Sequence, residues 1–140
     1  MCTAESCTGG YIAHLITSIP GSSKFYNGSV ISYSNEMKED ILHVHADTLQ
    51  EYGAVSEEVV KEMITGALTA SRADYAIAVS GIMGPDGGTS EKPVGSVWIA
   101  VGNKQRTEAH KAFYRFDRMR NIHMTAATAL NLLRLFILRG

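Results

Sequence analysis

Apolar residues recur along this chain with two different periods. Tyr11, Ile12, Leu15, Ile16 and Ile19 are spaced to share one face of a helix, while Gly28 to Tyr33 (GSVISY) is short and β-rich, the pattern of a strand. Asn35 is placed to cap a short helix carrying Met37, Ile41 and Leu42, and Asp47 to Tyr52 predicts a further turn or two that Gly53 stops. Ser56 followed by Glu57 and Glu58 predicts the next helix start, because a hydroxyl can accept an end amide and acids suit the positive end of the dipole. Val59, Val60, Met63, Ile64, Ala67 and Leu68 then mark its buried face.

Tyr75 to Ser80 (YAIAVS) is an uninterrupted apolar run, as expected of a strand covered on both faces, and it runs directly into the glycine-rich loop Gly81 to Pro93. Val94 to Val101 and Thr107 to Phe116 predict two strands joined by a turn at 102–106, paired antiparallel. Asp117 can cap a long final helix, with Ile122, Ala126, Ala129, Leu130, Leu133, Phe136 and Ile137 along its buried stripe. These elements sum to a layered α/β domain with a mixed sheet, and no repeat or linker divides residues 1–140.

With 45% hydrophobic and 19% charged residues in a chain of 140, the composition argues against disorder, and one domain is expected. A formal net charge of −1 leaves no global basic field for nucleic acid or an anionic membrane. No apolar run is read as approaching the roughly 20 residues of a membrane helix, and no signal peptide is read at the start, so a cytoplasmic protein is expected. Cys2 and Cys7 are too few for a structural zinc site and are read as reduced thiols. His43 and His45 lack a third ligand nearby and are read as surface residues rather than a metal site.

Three segments carry candidate chemistry. In Thr3 to Gly10 (TAESCTGG), small hydroxyl residues and two glycines precede a predicted helix, a place that can bind an anion through free amides or simply hold a Thr8 cap with packing glycines. Lysine is absent from it, which disfavours nucleoside triphosphate hydrolysis. The second segment spans the turn Pro20-Gly21-Ser22-Ser23, then Tyr33 and Lys38. A serine attacks a carbonyl only when a base removes its proton, and an enclosed lysine can serve, whereas spacing alone leaves Ser23 a turn residue and Lys38 a solvated charge. The third is Ser80 to Thr89 at the carboxyl end of a buried strand, whose loop amides suit phosphate or an oxyanion, or belong to an ordinary surface loop. Arg115, Arg118 and Arg120 cluster nearby, either solvated or facing an anion.

Taken in order, TAESCTGG, PGSS, YSNEMK, YGAVSEE, AVSGIMGPDGGTSEKPVGSVWIA and the late FDR resemble the C-terminal domain of the CinA competence/damage-inducible family, the nicotinamide mononucleotide amidases, from Thr3 to at least Arg118. The resemblance implies a three-layer αβα sandwich around a mixed, mostly parallel sheet. It implies hydrolysis of the carboxamide of nicotinamide mononucleotide to nicotinate mononucleotide and ammonia, with no metal or other cofactor. Carried over by motif position, Ser23 is the implied nucleophile, Lys38 its base and Tyr33 an assisting group, while Ser6, Thr8, Gly9, Gly10, Asn35, Ser80, Gly81, Gly84 and Arg118 are implied to bind substrate, Arg118 at the phosphate. A homo-oligomer without nucleic-acid or membrane partners is expected.

Two departures stand out. Residue 1 immediately precedes the first motif, where the family usually carries a helix and the beginning of a strand, and Ser80 stands where threonine is frequent. A non-catalytic nucleotide-binding module is the alternative reading. A DNA-associated competence factor would rest on the family name alone, against the near-neutral charge.

Overall fold

The centre of the fold is a strand that the periodicity does not single out. In a computed structural model describing residues 1–140, Cys2–Glu5 forms β1, buried along its whole length. It pairs in parallel with β2 (Gly28–Ile31) on one side and with β3 (Ala76–Gly81) on the other. The strands β4 (Ser96–Gly102) and β5 (Thr107–Phe113) follow antiparallel, giving the order β2-β1-β3-β4-β5. The sheet is mixed: two of its four pairings are parallel, and β4 alone runs against the other four strands. Thr3 and Glu5 hid β1 from a reading of apolar runs, because their polar groups are satisfied inside the fold rather than by solvent.

The helices are α1 (Tyr11–Thr17), α2 (Asn35–Leu42), α3 (Ala46–Tyr52), α4 (Glu57–Ser71) and α5 (Arg118–Leu138), with a short 3-10 helix at Ser22–Lys24. Ser56 and Asp117 cap α4 and α5 as expected, accepting from the amides of Val59 and Arg120. The cap of α2 is Ser34 rather than Asn35: the serine accepts from the Met37 amide at 3.1 Å, one residue earlier than the pattern suggested.

The sheet's two faces differ in side-chain size, and the difference builds the three layers. Ala4, Ala76, Ala78 and Ala100 make one face shallow, so α4 settles closely on it with α2 and α3 outside. Ile77, Val79, Val97, Ile99 and Val101 fill the other face under α1 and α5. On the shallow side Gly66 lets α4 meet the end of α2, since a Cβ there would overlap the Leu42 carbonyl. The 21-residue α5 corrects one expectation. By length and a mean hydropathy of 1.2 it is long and apolar enough to cross a membrane, yet here Ala126, Ala129, Leu133 and Phe136 are buried against the sheet.

Candidate active site

Glu5 ends β1 and its side chain turns towards the start of α1. The carboxylate accepts from Ile12 N and Ala13 N, both at 2.9 Å, from Thr8 Oγ1 at 2.7 Å and from Thr3 Oγ1 at 3.0 Å. Two of the amides that a helix start leaves free are therefore already taken by an internal anion. Between the end of β1 and α1 lies a tight turn with Ser6 and Cys7 at its head, and the amides of Cys7 and Thr8 make no hydrogen bond within the protein.

Lys38, on α2, reaches into this turn. It is completely buried, at 1% exposure. Its Nζ donates to Ser6 Oγ at 3.0 Å, to Ser32 O at 2.9 Å and to Tyr33 O at 3.3 Å, and it forms no ion pair. Burial without a carboxylate partner penalises the ammonium and holds the Lys38 pKa below the ordinary lysine value. The three acceptors take the three N–H groups of the ammonium, and loss of one proton would turn a lone pair towards the Ser6 hydroxyl.

The pocket over this pair has a volume of about 310 Å³. Its far wall is the loop after β3, with Ser80, Gly81, Met83, Gly84, Asp86 and Gly87 in the lining. Gly81 is required where that loop leaves the sheet, because a Cβ would come within 2.8 Å of Val97 Cγ2 and 2.9 Å of Ser96 O. Buried Asn121 on α5 fastens the loop through Met83 O at 3.0 Å. Arg118, the first residue of α5, donates to Gly84 O at 2.6 Å and to Tyr33 Oη at 3.2 Å, bridging the loop to the segment after β2. Lys38 and Arg118 face one carboxylate in the lining, that of Asp86.

Residues 1–137 match the family described as the CinA C-terminal domain. The chain belongs to that family. It is 51% identical over 132 residues to a CinA-like protein of Cytophaga hutchinsonii, an alignment covering 94% of this chain and 32% of the relative. The chain thus spans about a third of the length of the CinA-like proteins it matches, 32% and 31% in two of them. To the nicotinamide-nucleotide amidohydrolase PncC of Escherichia coli K12 it is 58% identical over 98 residues, 70% of this chain and 59% of that protein. The crystal structure of the competence/damage inducible protein CihA of Agrobacterium tumefaciens superposes with a TM-score of 0.94 at 43% identity, covering 96% of this chain and 82% of that one. A competence damage-inducible protein A from Klebsiella pneumoniae gives 0.91 at 39% identity, covering 94% and 82%.

Within this CinA domain the site draws together Ser6, Tyr33, Asn35, Lys38, Ser80, Gly81, Gly84 and Arg118, residues scattered through the sequence motifs. Ser23 is not among them. It is exposed on the 3-10 helix that follows α1, and that helix lies by the amino end of β1, where the Met1 ammonium donates to Phe25 O and the Asn27 amide donates to Met1 O. A parallel β1-α1-β2 unit must return the chain to the strands' amino ends before β2 starts, so Ser23 and Lys38 are separated by the length of β2, about 13 Å of strand rise. The serine beside Lys38 is Ser6. Thr8, Gly9 and Gly10 are also outside the lining: Thr8 is spent on Glu5, and the helix start that suggested an anion site is plugged by the same carboxylate. The Tyr33 hydroxyl meets Arg118, and only the Tyr33 carbonyl meets Lys38. Of the three late arginines Arg118 alone lines the pocket, while Arg115 and Arg120 lie over the rings of Phe113 and Phe116. Asp86, Cys7 and Asn121 were not singled out by the sequence as site residues. The acidity of Asp86 inside a glycine-rich loop was the one available hint.

Proposed function

We propose that this CinA domain hydrolyses the carboxamide of nicotinamide mononucleotide to nicotinate mononucleotide and ammonia, with Ser6 as nucleophile and Lys38 as its base. The reading is carried by one observation, the buried Lys38 Nζ at 3.0 Å from Ser6 Oγ with no counter-ion. A lysine in that state costs stability, and such a cost is characteristic of functional sites. The PncC relative's name supports the reaction class and substrate.

Ser6 Oγ attacks the carboxamide carbon while its proton passes to Lys38 Nζ. The free amide of Cys7, which lines the pocket directly after the nucleophile, is available to the developing oxyanion. Lys38 returns its proton as the C–N bond breaks, and ammonia leaves. Water then adds to the Ser6 ester, with Lys38 taking its proton and handing one back to Ser6 as the acid is released. Arg118, pinned by Gly84 O and Tyr33 Oη, takes the phosphate, and binding energy so far from the reacting carbon favours the nucleotide over free nicotinamide. Tyr33 acts here by orienting Arg118, and Asn35, Ser80 and Asp86 supply polar contacts to the ribose and amide.

The test is ammonia release from nicotinamide mononucleotide, with nicotinamide as control. Ser6→Ala and Lys38→Ala, folded by circular dichroism, are expected to lose at least about a thousandfold in kcat, whereas Ser23→Ala keeps wild-type turnover. The wild-type rate should rise with pH through the lowered Lys38 pKa, as the free amine forms. An active Ser6→Ala variant overturns the nucleophile assignment. A folded wild type that binds the nucleotide without releasing ammonia overturns the reaction itself in favour of a binding module.

A further inference from the structure

A second, basic cleft opens at the other end of the sheet. The strand β4 leads away from the pocket loop for seven residues, or about 23 Å, and the cleft forms where the chain turns into β5. Its walls are the last turns of α4, with Thr69 and the C-cap Arg72, and the turn carrying Lys104, Gln105, Arg106 and Thr107. Its volume is about 550 Å³, against about 310 Å³ for the Ser6–Lys38 pocket.

The charge in this cleft is unbalanced. No lining residue is acidic, and none of Arg72, Lys104 and Arg106 takes part in an ion pair, on a chain whose formal net charge is −1. Asp74 lines an adjoining depression with Lys104 and pairs with neither it nor the arginines. Arg72 at the carboxyl end of α4 suits the helix dipole, which accounts for that cation but not for Lys104 beside it. Arg106 also lines the cleft, but its guanidinium is engaged at α5, lying 4.1 Å over the Phe136 ring and donating to Phe136 O at 3.0 Å. The side chains of Gln105 and Thr107 make no hydrogen bond within the protein.

We infer that this cleft is a second anion site, taking a small phosphorylated metabolite with at least two negative charges. The Arg72 guanidinium and the Lys104 ammonium, neither with a carboxylate partner, match the charge and the multiple acceptor oxygens of a phosphate ester, and the volume leaves room for an organic body beyond the phosphate. A nucleic acid would need a longer track of cations than one cleft on a near-neutral protein supplies. The inference is independent of the amidase reading.

Titrating the isotopically labelled chain with pyrophosphate, then with adenosine monophosphate, and following its amide resonances tests the site. Saturable shifts are expected at residues 103–107 and 69–72. The double variant Arg72→Asn, Lys104→Gln should weaken this binding at least about tenfold with ammonia release unchanged, asparagine being chosen because Arg72 has a φ of 55°. Shifts confined to the Arg118 pocket, equal affinity in the double variant, or binding of a single-stranded oligonucleotide but neither phosphate compound would each overturn the proposal.

Discussion

Lys38 Nζ stands 3.0 Å from Ser6 Oγ although 32 positions separate the two residues. The parallel pairing of β1 with β2 creates this contact: Glu5 lies opposite Ile31, so the segments that follow both strands emerge side by side at the same edge of the sheet. The turn after β1 delivers the serine, and α2, started by Ser34, delivers the lysine.

Replacing that lysine should stabilise the fold. Its pKa is lowered from the ordinary 10.5 by burial, so the unfolded chain binds the proton more tightly than the folded one, and wild-type stability rises with pH between the lowered value and 10.5. Lys38→Met removes this penalty. Urea unfolding should show the variant to be the more stable at neutral pH, with its advantage shrinking as pH climbs towards 10.5. An advantage that grows with pH would refute the buried, unpaired state of Lys38.

Glu5 holds four donors at once, and two of them are main-chain amides of α1. Glu5→Gln keeps the shape but turns an NH2 group towards those donors. A loss of about 2–4 kcal/mol is expected, readable as a lower urea midpoint at unchanged slope. A midpoint within error of wild type would mean that the carboxylate does not hold the turn.

Arg118→Ala should separate binding from chemistry. Removal of a charge-assisted phosphate contact is expected to raise KM for nicotinamide mononucleotide about tenfold to a hundredfold, with a smaller change in kcat. The riboside, which lacks the phosphate, should be affected far less. Equal losses on both compounds would assign Arg118 to the architecture of the loop instead.

Gly66→Ala sets two effects against each other. Alanine favours a helix interior by about 1 kcal/mol, but its Cβ would overlap the Leu42 carbonyl, and overpacking against backbone costs about 1–3 kcal/mol or more. A net loss of stability is expected, together with reduced amidase activity because Leu42 ends the helix that carries Lys38. A stabilised, fully active variant would show that α2 and α4 can part without disturbing the site.

Much of this protein was legible before folding. The periodicities of α4, β3, β4 and α5, the capping of α4 by Ser56 and of α5 by Asp117, and the motif order that marks the family are local properties of consecutive residues. Chemistry that depends on one residue type was legible too, such as a lysine fit to act as a base once enclosed. Which serine that lysine meets was decided only by the tertiary structure, because the motif order pointed to Ser23 and left Ser6 a substrate-binding residue, whereas the two lie at opposite ends of β1 in space. The same holds for the anion site expected at the start of α1. Its amides are free in any sequence-based reading, and only the folded turn brings the Glu5 carboxylate onto them. Local pattern fixes where a helix or strand begins, since its causes lie within a few residues, whereas a contact between side chains 32 positions apart depends on strand order and direction, which arise from the packing of the whole chain.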